Sequence, residues 1–109
     1  RDRVSYILDE KINCNNLSER KDIMLQRSDL LVALPGGIGT LDEIFHVVAA
    51  ATIGYHNKLL VLYNVNGFWN GLVDVIAVMA EKGFIRSNLS DKLLVVDTQD
   101  ELEKVIKEI

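Results

Sequence analysis

The sequence predicts an α/β domain with a parallel sheet and flanking helices. Three observations carry that expectation. Leu30–Leu34, Leu59–Tyr63 and Leu93–Val96 are apolar runs without polar alternation, the mark of strands buried on both faces. Segments with helical periodicity separate these runs. Two turn-rich loops, "PGGIGT" and "NVNGFW", lead from strand to helix. Alternating strand and helix implies right-handed βαβ units, hence a Rossmann-like parallel sheet.

The helices follow in order. Asn16 or Ser18 can cap a first helix running to about Arg27. Thr40 can cap a second, ending near Ile53 with Gly54 just beyond. A third spans about Phe68 to Lys82 and stops at Gly83. A fourth starts near Asp100 and carries Leu102, Val105, Ile106 and Ile109 on one stripe. The 109 residues read as one α/β unit over 1–109. The chain opens on Arg1, mid-pattern, and three strands make a thin sheet. It therefore reads as a piece of a longer domain that lacks its N-terminal strands.

Composition removes several function classes. The net charge of −4 leaves no basic footprint, which argues against a nucleic-acid partner. No apolar run approaches the roughly 20 residues of a membrane span. The single cysteine, Cys14, allows no internal disulfide and fits a reducing cytoplasm. It sits in the polar stretch "KINCNNLSER" and reads as a bystander.

In a parallel sheet, ligands bind beyond the carboxyl ends of the strands. "PGGIGT" and "NVNGFW" both leave those ends, so they mark the candidate site. Residues 34–43, "LPGGIGTLDE", hold the only proline and three of the seven glycines. Glycines permit positive φ and let a ligand approach the backbone. Free N–H groups at a helix start favour an anion. Gly37, Ile38, Gly39 and Thr40 can thus hold a phosphate, helped by the Thr40 hydroxyl. The motif is neither a Walker loop nor G-x-G-x-x-G, and a plain strand-to-helix turn would look the same.

Two carboxylates follow. Thr40-Leu41-Asp42-Glu43 has the Thr-x-x-Glu spacing of a capping box, and Asp42 would suit the first turn. Glu43 and His46 form Glu-x-x-His, but a di-metal site needs a second copy and none exists, so no metal is expected. His46 and His56 read as structural. Arg20 and Lys21 stand four before Met24 and Leu25, on the apolar side of the first helix. Either they meet an anion there, or they form surface pairs with Glu19 or Asp22. Phe68 and Trp69 can wall a base or simply pack in the core. The second helix, with Val47, Val48, Ala49, Ala50 and Ala51, is apolar nearly all round. A second subunit would bury it, making a homodimer; so would a missing N-terminal segment.

"SERKDIM", "LPGGIGTLDE", "IGYHNK" and "NVNGFWNGL" together resemble the Lonely Guy family, phosphoribohydrolases of nucleoside 5′-monophosphates often labelled lysine decarboxylases. The resemblance covers nearly the whole chain after Asn16 and departs at Ala49 and Ala50, where the family often has Thr and Trp. It implies hydrolysis of the N-glycosidic bond of AMP or N6-modified AMP without a cofactor. It implies Arg20 and Glu43 as catalytic residues. Substrate contacts fall on Lys21, Gly36, Gly37, Ile38, Gly39, Thr40, Leu41 and Asp42. The anion and the carboxylate would then grip opposite ends of one sugar phosphate. A non-catalytic nucleotide binder of the molybdenum-cofactor carrier type is the alternative, although binding alone does not require Arg20 with Glu43. Decarboxylation with pyridoxal phosphate needs a Schiff-base lysine, and nothing around Lys11, Lys21, Lys58 or Lys82 marks one.

Overall fold

The computed structural model describes residues 3–7, 17–85 and 89–108. Its elements are β1 (Val4–Ile7), α1 (Leu17–Arg27), β2 (Leu30–Ala33), α2 (Ile38–Thr52), β3 (Leu59–Tyr63), α3 (Asn70–Glu81), β4 (Leu93–Val96) and α4 (Gln99–Lys107). Short 3₁₀ turns at Val65–Gly67 and Leu89–Asp91 lead into α3 and β4. The sheet is parallel throughout, in the order β1-β2-β3-β4.

The fourth strand, Val4–Ile7, is a correction to the sequence reading. Its four residues include a serine, so no apolar run marks it. Ser5 is accommodated because its hydroxyl bonds Ser28 Oγ, which itself donates to the Met24 carbonyl at 2.7 Å. At the other end, Arg3 Nε lies 2.6 Å from Asp29 Oδ2, and the Asp29 amide donates to the Arg3 carbonyl. That hydrogen bond holds the Asp29 carboxyl below its ordinary range.

Right-handed crossovers in a sequentially ordered parallel sheet place their helices on one face. The packing agrees. Leu25 of α1, Ile44, Val47, Val48 and Ala51 of α2, and Ile76 of α3 join Ile7, Leu31, Ala33, Leu60 and Leu62 in one core cluster. Alternate strand residues point the other way. There Leu30, Val32, Val61 and Val96 meet Leu102 of α4, with Val105 and Ile106 beside them, as the predicted stripe requires. Ile109 lies outside the described residues. Each fully buried Leu, Ile or Val contributes on the order of 1.5–3 kcal/mol.

Element ends differ from expectation in instructive ways. Ser18 is inside α1 rather than capping it, and Asn16 lies outside the described residues. The second strand stops at Ala33. The third helix starts at Asn70, because the chain first makes a tight turn in which Asn66 (φ 52°) and Gly67 (φ 73°) are both left-handed. Gly54 and Gly83 adopt positive φ just past α2 and α3, as helix-ending glycines do. No described helix is long and apolar enough to cross a membrane.

Candidate functional site

The loops after β2 and β3 leave neighbouring parallel strands whose register pairs Ala33 with Leu62. They therefore share one rim, as expected for "PGGIGT" and "NVNGFW".

The glycine loop enters α2 earlier than predicted. Gly37 is the N-cap, with no side-chain cap, and the amide of Leu41 donates to the Gly37 carbonyl at 3.1 Å to close the first turn. The N–H groups of Ile38, Gly39 and Thr40 precede that bond and have no intrahelical acceptor. The first turn carries no acidic residue. The rim end of α2 is thus a positive dipole end with bare donors. Gly36, Gly37 and Gly39 are not among the glycines at positive φ. A Cβ on Gly39 would meet nothing within 4 Å, so the bare position opens the approach to those donors rather than answering a packing demand inside the chain.

The predicted Thr40–Glu43 capping box is therefore not formed. Thr40 is the third residue of the helix, fully buried, and its Oγ1 has no hydrogen-bond partner among the described residues. The physical reason is the buried stripe Thr40, Glu43, Ile44, Val47, Val48 and Ala51, which has helical spacing from its first member. Thr40 must be inside the helix to join it. Asp42 and Glu43 consequently lie past the first turn. Glu43 is 8% exposed, on the same stripe as Thr40 and one turn further in.

Arg20 and Lys21 lie in the first half of α1; the Arg20 side chain is outside the described residues. Lys21, its side chain 14% exposed, places Nζ 2.9 Å from Asp42 Oδ2. Its partner is thus an anion on α2 rather than a neighbour on its own helix. Asp22 instead faces His46, whose Nε2 lies 3.2 Å from Asp22 Oδ1. Among the described residues, no group of three or more His, Cys, Asp or Glu is arranged to hold a metal. Cys14 lies outside the described residues.

On the β3 side, sequence reasoning missed Asn64. Its buried side chain accepts from the Trp69 amide at 2.6 Å and donates to Asn70 Oδ1 at 2.8 Å and Asp97 Oδ1 at 3.4 Å. The sequence marks this loop through "NVNGFW", but nothing local singles out the side chain that ties it together. Trp69 packs in the core, whereas Phe68, edge-on to it at 4.8 Å, is 51% exposed. His56 is structural, as expected. Its Nδ1 accepts from the Lys58 amide at 2.9 Å, so Nε2 carries the proton and donates to the Val47 carbonyl at 3.0 Å. Burial lowers its pKa.

A family model described as "Possible lysine decarboxylase" matches residues 2–106, which extends the resemblance over the segment before Asn16. The cytokinin riboside 5′-monophosphate phosphoribohydrolase LOG4 of Arabidopsis thaliana is 39% identical over 93 residues, 85% of this chain and 43% of the relative. Proteins named cytokinin riboside 5′-monophosphate phosphoribohydrolase from Mycobacterium marinum and Mycobacterium tuberculosis are 32% and 35% identical, over 93% and 89% of this chain and 54% and 52% of their own. The chain spans about half the length of the curated relatives it matches. Pyridoxal chemistry, which the family description suggests, needs a free lysine. Lys21 is paired with Asp42, and nothing around it marks a Schiff-base lysine. A family match over residues 2–106, with relatives 32–39% identical over most of the chain, makes this chain a member of the Lonely Guy family, the family described as possible lysine decarboxylase.

Proposed function

We propose that this chain carries the phosphate-anchoring and carboxylate part of a nucleoside 5′-monophosphate phosphoribohydrolase, acting on AMP or N6-modified AMP. One observation carries the reading. Bare amides at the start of α2, a buried Thr40 hydroxyl without a partner, and Glu43 one turn on stand together on one helix. The names of the relatives support the same class of substrate.

The main chain of Gly36 to Thr40 receives the phosphate, with Leu41 continuing that wall, while the Asp42 carboxylate is engaged by Lys21. Binding energy there positions the ribose along α2 toward Glu43. Cleavage of the bond from C1′ to the base nitrogen builds positive charge on the ribose. The Glu43 carboxylate stabilises that oxocarbenium-like state and orients water for attack on C1′. Water supplies hydroxide to C1′ and a proton to the departing base, giving free base and ribose 5-phosphate. Arg20 is the second catalytic residue, acting on the sugar phosphate or the leaving base. Phe68, exposed on the same rim, offers a face for the base.

Ile38 and Phe45 on α2, and Ile53 just past its end, are exposed apolar side chains, 81%, 41% and 77% exposed. A second copy of the chain covers them in a homodimer. A single cysteine supports a reducing, cytoplasmic location. The test is incubation of the intact protein with AMP and N6-modified AMP, with chromatography for free base and sedimentation for the dimer. Absence of released base from either nucleotide overturns the hydrolase, and a monomer at all concentrations overturns the dimer.

A further inference from the structure

We infer that Lys21 and Asp42, with Asp22 and His46 beside them, form a clasp that sets α1 against α2 and thereby positions the turn bearing Arg20 against the turn bearing Glu43. The inference rests on the hydrolase reading for its consequence, but on geometry for its existence.

The Lys21 ammonium is 2.9 Å from Asp42 Oδ2, and the His46 Nε2 is 3.2 Å from Asp22 Oδ1. Lys21 and Asp22 are consecutive on α1. Asp42 and His46 are one turn apart on α2, on one side of it. A single contact would let α1 roll and slide about one point. Two contacts, offset by a helical turn, fix both rotation and translation.

Apolar packing does not set this register by itself. The sequence of α1, "LSERKDIMLQR", is mostly polar, and Leu25 is its one buried residue among those whose side chains are described, with Met24 partly buried. A contact that small is tolerant of sliding, since dispersion and burial are non-directional. A charge-assisted hydrogen bond is directional: the Lys21 ammonium, on a side chain 14% exposed, meets one carboxylate oxygen of the half-exposed Asp42. In sequence, Arg20 precedes Lys21 and Glu43 follows Asp42. Holding 21 opposite 42 therefore brings the backbone at 20 and 43 onto facing turns. Lys21 and Asp42 are positioning residues, and neither touches the nucleotide.

The test uses the intact protein with Lys21→Glu, Asp42→Lys and the two combined. Each single variant lowers kcat for AMP by about tenfold to a hundredfold, the scale of a small misplacement of reacting groups. KM stays within about threefold, because the phosphate anchor is untouched. The combined variant, which restores an opposite-charge pair, recovers most of the lost kcat. Raised KM with unchanged kcat in the single variants, or a combined variant no better than either, overturns the clasp in favour of direct substrate contact. Amide hydrogen exchange across Leu17–Arg27 separates this from failure of the hydrolase reading. If the unmodified protein releases no base, faster exchange in both single variants that the combined variant reverses still supports the clasp. Unchanged exchange in the single variants overturns it.

Discussion

His56 Nε2 donates to the carbonyl of Val47 at 3.0 Å, tying the loop before β3 back to the middle of α2. Its other ring nitrogen accepts from the Lys58 amide, so the ring works only as the neutral tautomer. Lys92, also nearby, donates to the Ala51 carbonyl and adds positive charge that disfavours protonation. Burial is the main cause of the lowered pKa. Between that lowered value and about 6.5, the unfolded chain binds a proton that the folded chain does not. Stability is thus complete above about 6.5 and falls as pH drops through that window. Urea unfolding at a series of pH values should show this slope, and His56→Gln should flatten it. His56→Ala should also cost about 1–3 kcal/mol at neutral pH, from unpaired buried groups. An identical pH slope in the Gln variant would show that another group is responsible.

Glu43→Gln should abolish turnover and spare binding. Glutamine keeps the shape and removes the charge that, on the proposed function, stabilises the ribose. We expect kcat to fall by about a hundredfold to a thousandfold, the scale for losing a preorganised electrostatic contact. AMP affinity, measured by calorimetry, should change little. Release of base at the unmodified rate would remove Glu43 from the reaction.

Thr40→Val tests the phosphate anchor. The Thr40 hydroxyl is buried and unpartnered, so replacing it with a methyl leaves stability unchanged or raises it. A hydroxyl bound to a phosphate is different. Its loss should raise the KM for AMP by roughly tenfold or more, as for a hydrogen bond to a charged group. Thermal melts and steady-state kinetics on one preparation give both answers. Lower stability with unchanged KM would make Thr40 a purely structural residue.

Gly67→Ala and Gly54→Ala form a matched pair. Both glycines have φ near +75°, but only at Gly67 would a new Cβ meet a neighbour, Asn70 Nδ2 at 2.7 Å. Gly54→Ala should cost about 1 kcal/mol from backbone strain alone. Gly67→Ala should cost more, about 1–3 kcal/mol, and disturb the Asn64–Asn70 hydrogen bond. Equal losses by denaturant titration would mean that Asn70 moves aside freely.

Two stretches with the same spacing show what could be read in advance. Thr40-x-x-Glu43 and Thr98-x-x-Glu101 are both capping-box patterns. At Thr98 the backbone is extended, and the hydroxyl accepts from the Glu101 amide at 3.1 Å, capping α4. At Thr40 the helix has already begun at Ile38, and the hydroxyl is buried. Local letters cannot separate the two, because the start of α2 answers to the stripe that packs on the sheet.

The sequence by itself determined the three apolar strands β2, β3 and β4, the parallel α/β plan, the two rim loops and the glycine loop ahead of a helix. Those follow from periodicity and from the backbone freedom of glycine, which act within a few residues. Only the tertiary structure decided that Val4–Ile7 is a strand, since the edge of β2 supplies the pairing its short, serine-bearing sequence does not advertise. It also decided that Lys21 faces Asp42 rather than its own helix, and that Phe68 is exposed while Trp69 is buried. Such choices depend on how elements distant in sequence approach one another, which no local pattern encodes.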